Sequence, residues 1–367
     1  MNGLEILDNM KANDSLHTRI LGVVLRSHLP ELSSPLSKIL CCTFDHEFAT
    51  STNKNNDGWV RLPSFTLTKK LITAANTLVF FGPDLAANSS FLEAALAYPE
   101  DTFFAAKVLR LLPSVIHPIL APALMRNHRA TKAMVSHLTP VVEHRLRRAR
   151  ERQSADAGVI RPLDCIQFFV DASTNNRQDD WPSQKIVQGL LGTWLAAVHQ
   201  PALTAVYLLE DLCEHVEYVE HIRQELALHL GFRLTSDVGD EHCDAFSTAA
   251  AAAIEDAPLL DAFLKESSRL HPSDSISVRR KVLKPFTFRD GTHILPGDVA
   301  CVPSQAIMRD EIVYAQSTVF SPWRFITYGE TCMGSSEQRL STKRGSRSRF
   351  SDAEPTYPLW GLGRHSW

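Results

Sequence analysis

Apolar residues recur at three- and four-residue steps along one stretch near the middle of the chain. The residues with this spacing are Leu209, Leu212, Val216, Val219, Ile222 and Leu226. Such spacing places apolar side chains on one face of a helix, and the pattern stops at Gly231, a residue type that commonly ends helices. A single amphipathic helix is therefore predicted over this stretch.

Two other segments have helical patterns. One runs from Arg126 to Gln153, and the other runs from about Pro258 to Leu270. Proline is well tolerated in the first turn of a helix, and the His271-Pro272 pair is a stop signal, so both ends of the second helix are marked in the sequence.

The pattern changes after this helix. Ser277 to Val282 reads as a strand, and Phe286 to Leu295 reads as a hairpin that turns at Asp290-Gly291. Pro296-Gly297-Asp298 marks another turn, before a short strand over Val299–Val302. The predicted fold class is therefore mainly α, with a small β region after a helical body.

One stretch, Val187 to Leu209, is long and apolar enough to be considered as a membrane span. Its polar residues, Gln188, His199 and Gln200, would be costly in lipid, and Pro201 interrupts the helical hydrogen bonding. We therefore predict a buried helix with a local break.

The composition is that of an ordinary globular protein. The chain has 367 residues, of which 44% are hydrophobic and 22% are charged, so a disordered or low-complexity chain is excluded. With 38 Lys and Arg against 41 Asp and Glu, the formal net charge is -3, which gives no reason to expect a nucleic-acid partner.

The cysteines argue against a secreted disulfide scaffold and against a structural zinc site. Their number is odd and no C-x-x-C pair occurs, which favours a reducing compartment. The chain also starts without the basic and apolar regions of a signal peptide. The seven positions are Cys41, Cys42, Cys165, Cys213, Cys243, Cys301 and Cys332.

Three polar clusters have two interpretations each. The arginines near the end of the first long helix could bind an anionic partner, but a solvated helix end is favoured. The Ser- and Arg-rich stretch from Ser335 to Ser351 could be a localisation signal, although a surface insert is favoured. A group of His and Glu on one predicted helix lacks a third metal ligand in view, so a solvated face is favoured. The arginines are Arg145, Arg147, Arg148, Arg150 and Arg152, and the His and Glu residues are His215, Glu217, Glu220 and His221.

Three short motifs occur in a fixed order towards the carboxyl end. Glu266-Ser-Ser-Arg269 places a carboxylate and a guanidinium on one helix face. Phe320-Ser-Pro322-Trp-Arg324-Phe325 follows, and the chain ends in Trp360-Gly-Leu-Gly-Arg-His-Ser-Trp367. The two glycines of the last motif suit a loop that approaches a flat anionic ligand closely.

This order of motifs resembles that of the haem-thiolate monooxygenases, the cytochromes P-450. The sequence around the motifs resembles that of fungal members. The resemblance covers roughly residues 15 to 367 and implies a mainly α, cytochrome P-450-like fold with a small β region, here incomplete. It predicts one incomplete domain. The helical body would span about 1–272, the small β region and meander 273–334, and the insert and haem-loop remnant 335–367.

The resemblance also implies roles for individual residues. Glu266 and Arg269 would form a buried charge network with Arg324. The residues implied to bind haem, through its propionates or along the porphyrin, are Arg279 (or its neighbour Arg280), Trp360, Gly361, Gly363 and His365.

The distal helix departs from the family pattern. Ala196 and Ala197 would leave room for dioxygen, but His199 and Gln200 replace the usual acid and threonine that relay protons. We take these two residues as candidate catalytic groups, with a satisfied core histidine as the alternative for His199.

The largest departure is at position 367, where the family has the cysteine that ligates iron. Trp367 stands there, and an indole offers only an N–H donor. The resemblance therefore implies haem as cofactor, but without a thiolate ligand and with no metal ligand assigned. The first part of the family pattern is also missing, so we expect a chain truncated at both ends.

Relatives insert one atom of dioxygen into a lipophilic substrate, using electrons from NADPH through a cytochrome reductase. The similarity to fungal members suggests a terpenoid-like substrate. We predict that this chain is inactive, and the alternatives are a non-catalytic remnant or a helical interaction scaffold. Relatives are anchored in the endoplasmic reticulum membrane, and we expect no such anchor here, which leaves a cytoplasmic location as the alternative.

Overall fold

Helices make up most of the described chain. The computed structural model describes residues 20, 25–51, 59–152, 161–175, 181–230, 254, 257–326 and 349–362. These residues fall into two compact units, one up to Leu203 and the other from Thr204 onward. Most of the predicted insert Ser335–Ser351 lies outside the described residues.

The first unit is entirely helical in its long elements. None of the helices in the described ranges is long and apolar enough to cross a bilayer. The helices, in chain order, are α1 (Arg26–Thr50), α2 (Ser64–Phe81), α3 (Pro83–Ala86), α4 (Ser89–Leu109), α5 (His117–Leu124), α6 (Arg129–Arg152), α7 (Cys165–Asn175), α8 (Ser183–Ala197) and α9 (His199–Glu214), the last of which crosses the division between the units.

Trp194 on α8 lies in the core of the first unit and is fully buried. Its ring centre is 5.5 Å from that of Phe80 and 5.0 Å from that of Phe81, both on α2. The indole N–H donates to the backbone carbonyl of Ala95 on α4 at 2.8 Å, so its polar atom is satisfied. One side chain thus joins three helices of this core.

The helix predicted from Arg126 begins three residues later, at Arg129. The three preceding residues have positive φ angles, and Asn127 is at φ +54°. Residues whose backbone lies in the left-handed region cannot continue a right-handed helix. The prediction was therefore wrong at this end. The other end is confirmed within one residue, since α6 stops at Arg152.

Arg145 is also not solvated, contrary to the interpretation favoured for its cluster. Its side chain is 16% exposed and forms a two-pronged ion pair with the buried Asp164, with Nη2 at 2.8 Å from Oδ2. The same carboxylate accepts the backbone N–H of Gln167 at 2.9 Å and so caps the start of α7. Gly82, with φ +86°, passes close beside this carboxylate.

The second unit contains the rest of α9, then α10 (Glu217–Leu230) and α11 (Pro258–Leu270). The predicted bounds of α11 are confirmed. Glu225 on α10 caps this helix, because its carboxylate oxygens accept the N–H groups of Leu259 and Leu260 at 2.8 and 2.9 Å.

The single amphipathic helix predicted through Leu209 to Leu226 was wrong, because the chain breaks at His215-Val216. His215 therefore does not share a helix with Glu217, Glu220 and His221. Its ring stacks on Phe320 at 4.3 Å between ring centres. This tertiary contact lies at the break.

Two small antiparallel sheets follow α11. Strand β1 (Ser277–Lys281) pairs with β4 (Val299–Val302), and β2 (Phe286–Thr287) pairs with β3 (His293–Ile294). The predicted hairpin is confirmed, and Gly291 supplies the positive φ of +89° that its turn requires. A short helix, α12 (Ser304–Met308), comes next.

Candidate functional site

Glu266 lies at the centre of a buried charge cluster in the second unit. It is one turn from Arg269 on α11, and neither side chain is exposed. The Nε and Nη2 atoms of Arg269 donate to the two carboxylate oxygens of Glu266 at 2.8 Å each. Arg324 Nε donates to Oε1 at 3.1 Å, and the backbone N–H of Ser321 donates to the same oxygen at 2.8 Å. We call Glu266, Arg269 and Arg324 the Glu266 cluster.

The remaining guanidinium donors of the cluster bind backbone carbonyls. The accepting residues are Met308 and Ser317 for Arg269, each at 2.6 Å, and Ala315 and Val319 for Arg324, at 2.9 and 3.0 Å. Because each cation also binds the Glu266 carboxylate, the cluster fastens α11 to the irregular segment that follows α12. The structure therefore brings these three predicted residues together, and their contacts are those of a structural network.

Lys265, which the sequence analysis missed, is a second buried cation on α11. Its side chain is fully buried, and Nζ donates to the carbonyl of Arg349 and to Oε1 of Glu354, both at 3.0 Å. Nζ also lies 4.6 Å from the ring centre of Tyr357, a favourable cation–π distance. Lys265 thus anchors the described segment 349–362. In the sequence, a buried lysine next to a glutamate on a helix looks the same as a solvent-exposed pair, so nothing marks Lys265 as buried.

Trp360 and Gly361 lie near the end of this anchored segment. The indole N–H of Trp360 donates to the carbonyl of Phe350 at 2.5 Å, and the two rings meet edge to face at 5.1 Å. Gly361 has φ +75°, a conformation that favours glycine. The other loop positions of the prediction, which lie outside the described residues, are Gly363, His365 and Trp367.

Arg279 is exposed on β1, beside a bulge in the pairing of β1 with β4. Its neighbour Arg280 is also exposed and donates to the Arg279 carbonyl at 3.0 Å. The strand thus presents two cations at the surface of the second unit, and neither forms an ion pair within the described residues.

His199 and Gln200, the two candidate catalytic residues, have different surroundings. His199 is half-buried in the first unit, with its ring centre 5.5 Å from that of Phe103. Burial lowers the pKa of the imidazole, against a smaller opposing effect of Glu100, so the neutral form is favoured near neutral pH. Gln200 is exposed. The structure therefore does not place the two side chains in one environment.

The predicted break in the long apolar helix is confirmed at Val198, between α8 and α9. Pro201 has no N–H, so the carbonyl of Ala197 lacks the donor that a continuous helix would supply four residues later. Asn76 on α2 replaces this donor, because its side-chain amide donates to the Ala197 carbonyl at 2.5 Å.

This replacement predicts that Asn76 and Pro201 are energetically coupled. Asn76→Ala should lower the free energy of unfolding by about 1–3 kcal/mol, the cost of leaving a carbonyl unpaired. In a Pro201→Ala background the loss should fall below half, since residue 201 then has an N–H for Ala197. Urea unfolding of the four proteins of this double-mutant cycle measures the coupling. Equal losses in both backgrounds would show that Asn76 does not compensate for the proline.

Comparison with known proteins identifies the family to which this helical fold and its charge cluster belong. The family model described as cytochrome P-450 matches residues 39–337. The chain therefore belongs to the cytochrome P-450 family.

The relatives and structural neighbours are distant in sequence. The chain is 26% identical over 357 residues to the cytochrome P-450 monooxygenase paxP of Penicillium paxilli, covering 96% of this chain and 62% of the relative. It is 28% identical over 289 residues to ent-kaurene oxidase of Fusarium fujikuroi, covering 78% of this chain and 50% of the relative. The retinoic acid bound cyanobacterial CYP120A1 superposes with a TM-score of 0.59 at 16% identity, covering 96% of this chain and 65% of that one. The chain thus spans about half to two thirds of the length of these proteins.

The cytochrome P-450 family implies a haem cofactor. No cysteine occurs between positions 360 and 367, and Trp367 has no lone pair to offer a metal. Of the described cysteines, Cys165 is buried in the core of the first unit, where burial raises the pKa of its thiol and keeps it protonated. Among the described side chains, no three His, Cys, Asp or Glu groups are arranged to hold a metal ion.

Proposed function

We propose that this chain keeps the scaffold of a fungal-type haem monooxygenase but does not catalyse oxygen insertion. The proposal rests on Trp367, which the resemblance of the last motif to the family's haem loop aligns with the ligating cysteine. A thiolate pushes electron density onto iron and favours O–O cleavage, whereas an indole does not. The buried Glu266 cluster supports the proposal that the scaffold is kept. Its carboxylate pairs with both guanidinium groups, so no charge of the cluster is buried without an opposite charge.

We further propose that residues of the family's haem loop retain some affinity for haem without the thiolate. By the family resemblance, Arg279 (or its neighbour Arg280) and His365 would bind the propionates, and Trp360, Gly361 and Gly363 would lie along the porphyrin.

For the full-length proteins that this chain resembles, we propose a lipophilic, terpenoid-like substrate. It would be oxidised with electrons that come from NADPH through a cytochrome reductase. Two relatives support this choice by their names, a cytochrome P-450 monooxygenase and an ent-kaurene oxidase.

A turnover assay tests the proposal. The haem-reconstituted chain, a reductase, NADPH and a panel of diterpenes should give product no faster than free haemin does. A Trp367→Cys variant, prepared in parallel, tests whether the ligand position alone is responsible. Product formation by the unmodified chain above the haemin rate would show that the proposal is wrong.

A further inference from the structure

The sheet formed by β1 and β4 has two edges with different chemistry. Within the described residues it contains only these two strands, so each strand has one edge without a neighbouring strand. An unpaired edge presents a row of backbone N–H and C=O groups, and it can pair with another chain unless charges, proline or a bulge prevent this. A two-stranded sheet is only marginally stable, so further strands would stabilise it.

The edge of β1 is protected by charge and by shape. Arg279, Arg280 and Lys281 are exposed cations at the end of this strand. A bulge between Ser277 and Arg280 also interrupts the regular pairing of the strand with β4. Two copies of β1 that faced each other would bring like charges together, which opposes pairing. The edge of β1 is therefore a poor surface for self-association.

The unpaired edge of β4, which we call the β4 edge, lacks this protection. The strand reads Val299-Ala-Cys-Val302 and contains neither a charged residue nor a proline. Val299 is 61% exposed, and Cys301 is also exposed, so both residues are open to another molecule. Uncharged strands with β-branched residues and an exposed edge are those that pair most readily with another chain.

The pairing of β1 with β4 shows which backbone groups point towards the β4 edge. The N–H of Val282 donates to the carbonyl of Asp298, just before β4, at 2.9 Å. Backbone groups of successive residues point to opposite sides of an antiparallel strand. Those of Ala300 therefore point to β1, whereas those of Val299 and Cys301 point away from it. The outward N–H and C=O groups have no hydrogen-bond partner among the described residues.

A second copy of this chain fits the β4 edge. Antiparallel pairing of two β4 strands about a two-fold axis at Ala300 places Val299 of each copy opposite Cys301 of the other. Each such pair exchanges both of its N–H···O bonds, so every outward group of these two residues is satisfied. No like charges meet, because β4 carries none and the cations of β1 stay at the outer edges of the combined sheet.

We propose that this chain self-associates through the β4 edge, with a second copy of the same chain as the partner. The dimer is weak, because two short strands bury far less than the roughly 1,200–2,000 Å² of a stable interface. Half of the protein is expected in the dimer at a concentration of about 100 µM. The surface is independent of haem and of position 367.

Sedimentation equilibrium of the full chain under reducing conditions, from about 10 to 500 µM, measures the association. Cys301→Pro removes the outward N–H and leaves the β1–β4 hydrogen bonds in place, since proline is tolerated at such an edge position. The N–H is lost in both copies, so association should weaken at least about ten-fold. Cys301→Ser, the matched control, keeps the N–H and should associate as the unmodified chain does. A monomer at every concentration, or equal association of the two folded variants, would overturn the proposal.

Thiol cross-linking of the unmodified chain locates the contact. The two Cys301 residues are diagonal neighbours in the proposed pairing, roughly 7–8 Å apart, within reach of a short bis-maleimide. Mass spectrometry should find Cys301 linked to Cys301, a product that only two copies can form, at least about ten-fold above the like products of the exposed Cys42 and Cys213. Equal yields of the three products would overturn the proposal. If circular dichroism shows that Cys301→Pro does not fold, this cross-link decides the question.

Discussion

Replacing Glu266 with glutamine is expected to lower the free energy of unfolding by about 3–5 kcal/mol. Glutamine keeps the size of the side chain but removes its charge. The guanidinium of Arg269, fully buried, and that of Arg324, 14% exposed, then lose their only carboxylate within the described residues. The amide also has a single acceptor oxygen, whereas the carboxylate of Glu266 accepts hydrogen bonds at both of its oxygens.

Urea unfolding followed by circular dichroism measures this loss. The matched control is Glu210→Gln, which makes the same chemical change at an exposed position and should stay within about 0.5 kcal/mol of the unmodified chain. If both variants lost the same stability, the Glu266 cluster would not be the structural network described above.

Replacing Gly82 with alanine should cost about 3 kcal/mol or more. At φ +86° and ψ 173° the backbone lies in a region that is essentially restricted to glycine. An added Cβ would also lie 2.7 Å from Oδ2 of the buried Asp164. The carboxylate would have to move, and its ion pair with Arg145 and its cap on α7 would weaken together.

Gly291→Ala is the comparison variant, because it adds a Cβ at a positive φ without a steric contact. Gly291 has nearly the same φ, +89°, but nothing lies within 4 Å of a Cβ added there. This variant should lose only the backbone strain, about 1 kcal/mol. Thermal or urea unfolding of both variants measures the difference. A loss at Gly82 no larger than that at Gly291 would contradict the expected contribution of the Asp164 contact and of the Gly82 backbone conformation.

The sequence predicted those helices whose ends carry local signals. Pro258 and His271-Pro272 mark both ends of α11, and its bounds were correct. The break at His215-Val216 was missed because the apolar spacing continues across it, whereas the stacking of His215 on Phe320 joins residues about 100 positions apart. Periodicity detects a helix face and does not detect such a contact.

The same distinction applies to the charged and polar residues. The pairing of Glu266 with Arg269 follows from helical spacing, but the contact of Arg324 with Glu266 came only from the family resemblance. Pro201 signals that the carbonyl of Ala197 needs another donor, yet nothing in the sequence shows that Asn76 supplies it. Lys265 was missed because burial of a lysine depends on the segment folded over it.

The absorption spectrum of the haem-reconstituted, dithionite-reduced chain under carbon monoxide tests the central claim most directly. The account predicts no strongly red-shifted Soret band of the thiolate type, because position 367 is tryptophan. Trp367→Cys measured beside it shows whether a thiolate at this position is detected. A thiolate-type band from the unmodified chain would mean that another cysteine reaches the iron, and would contradict the account.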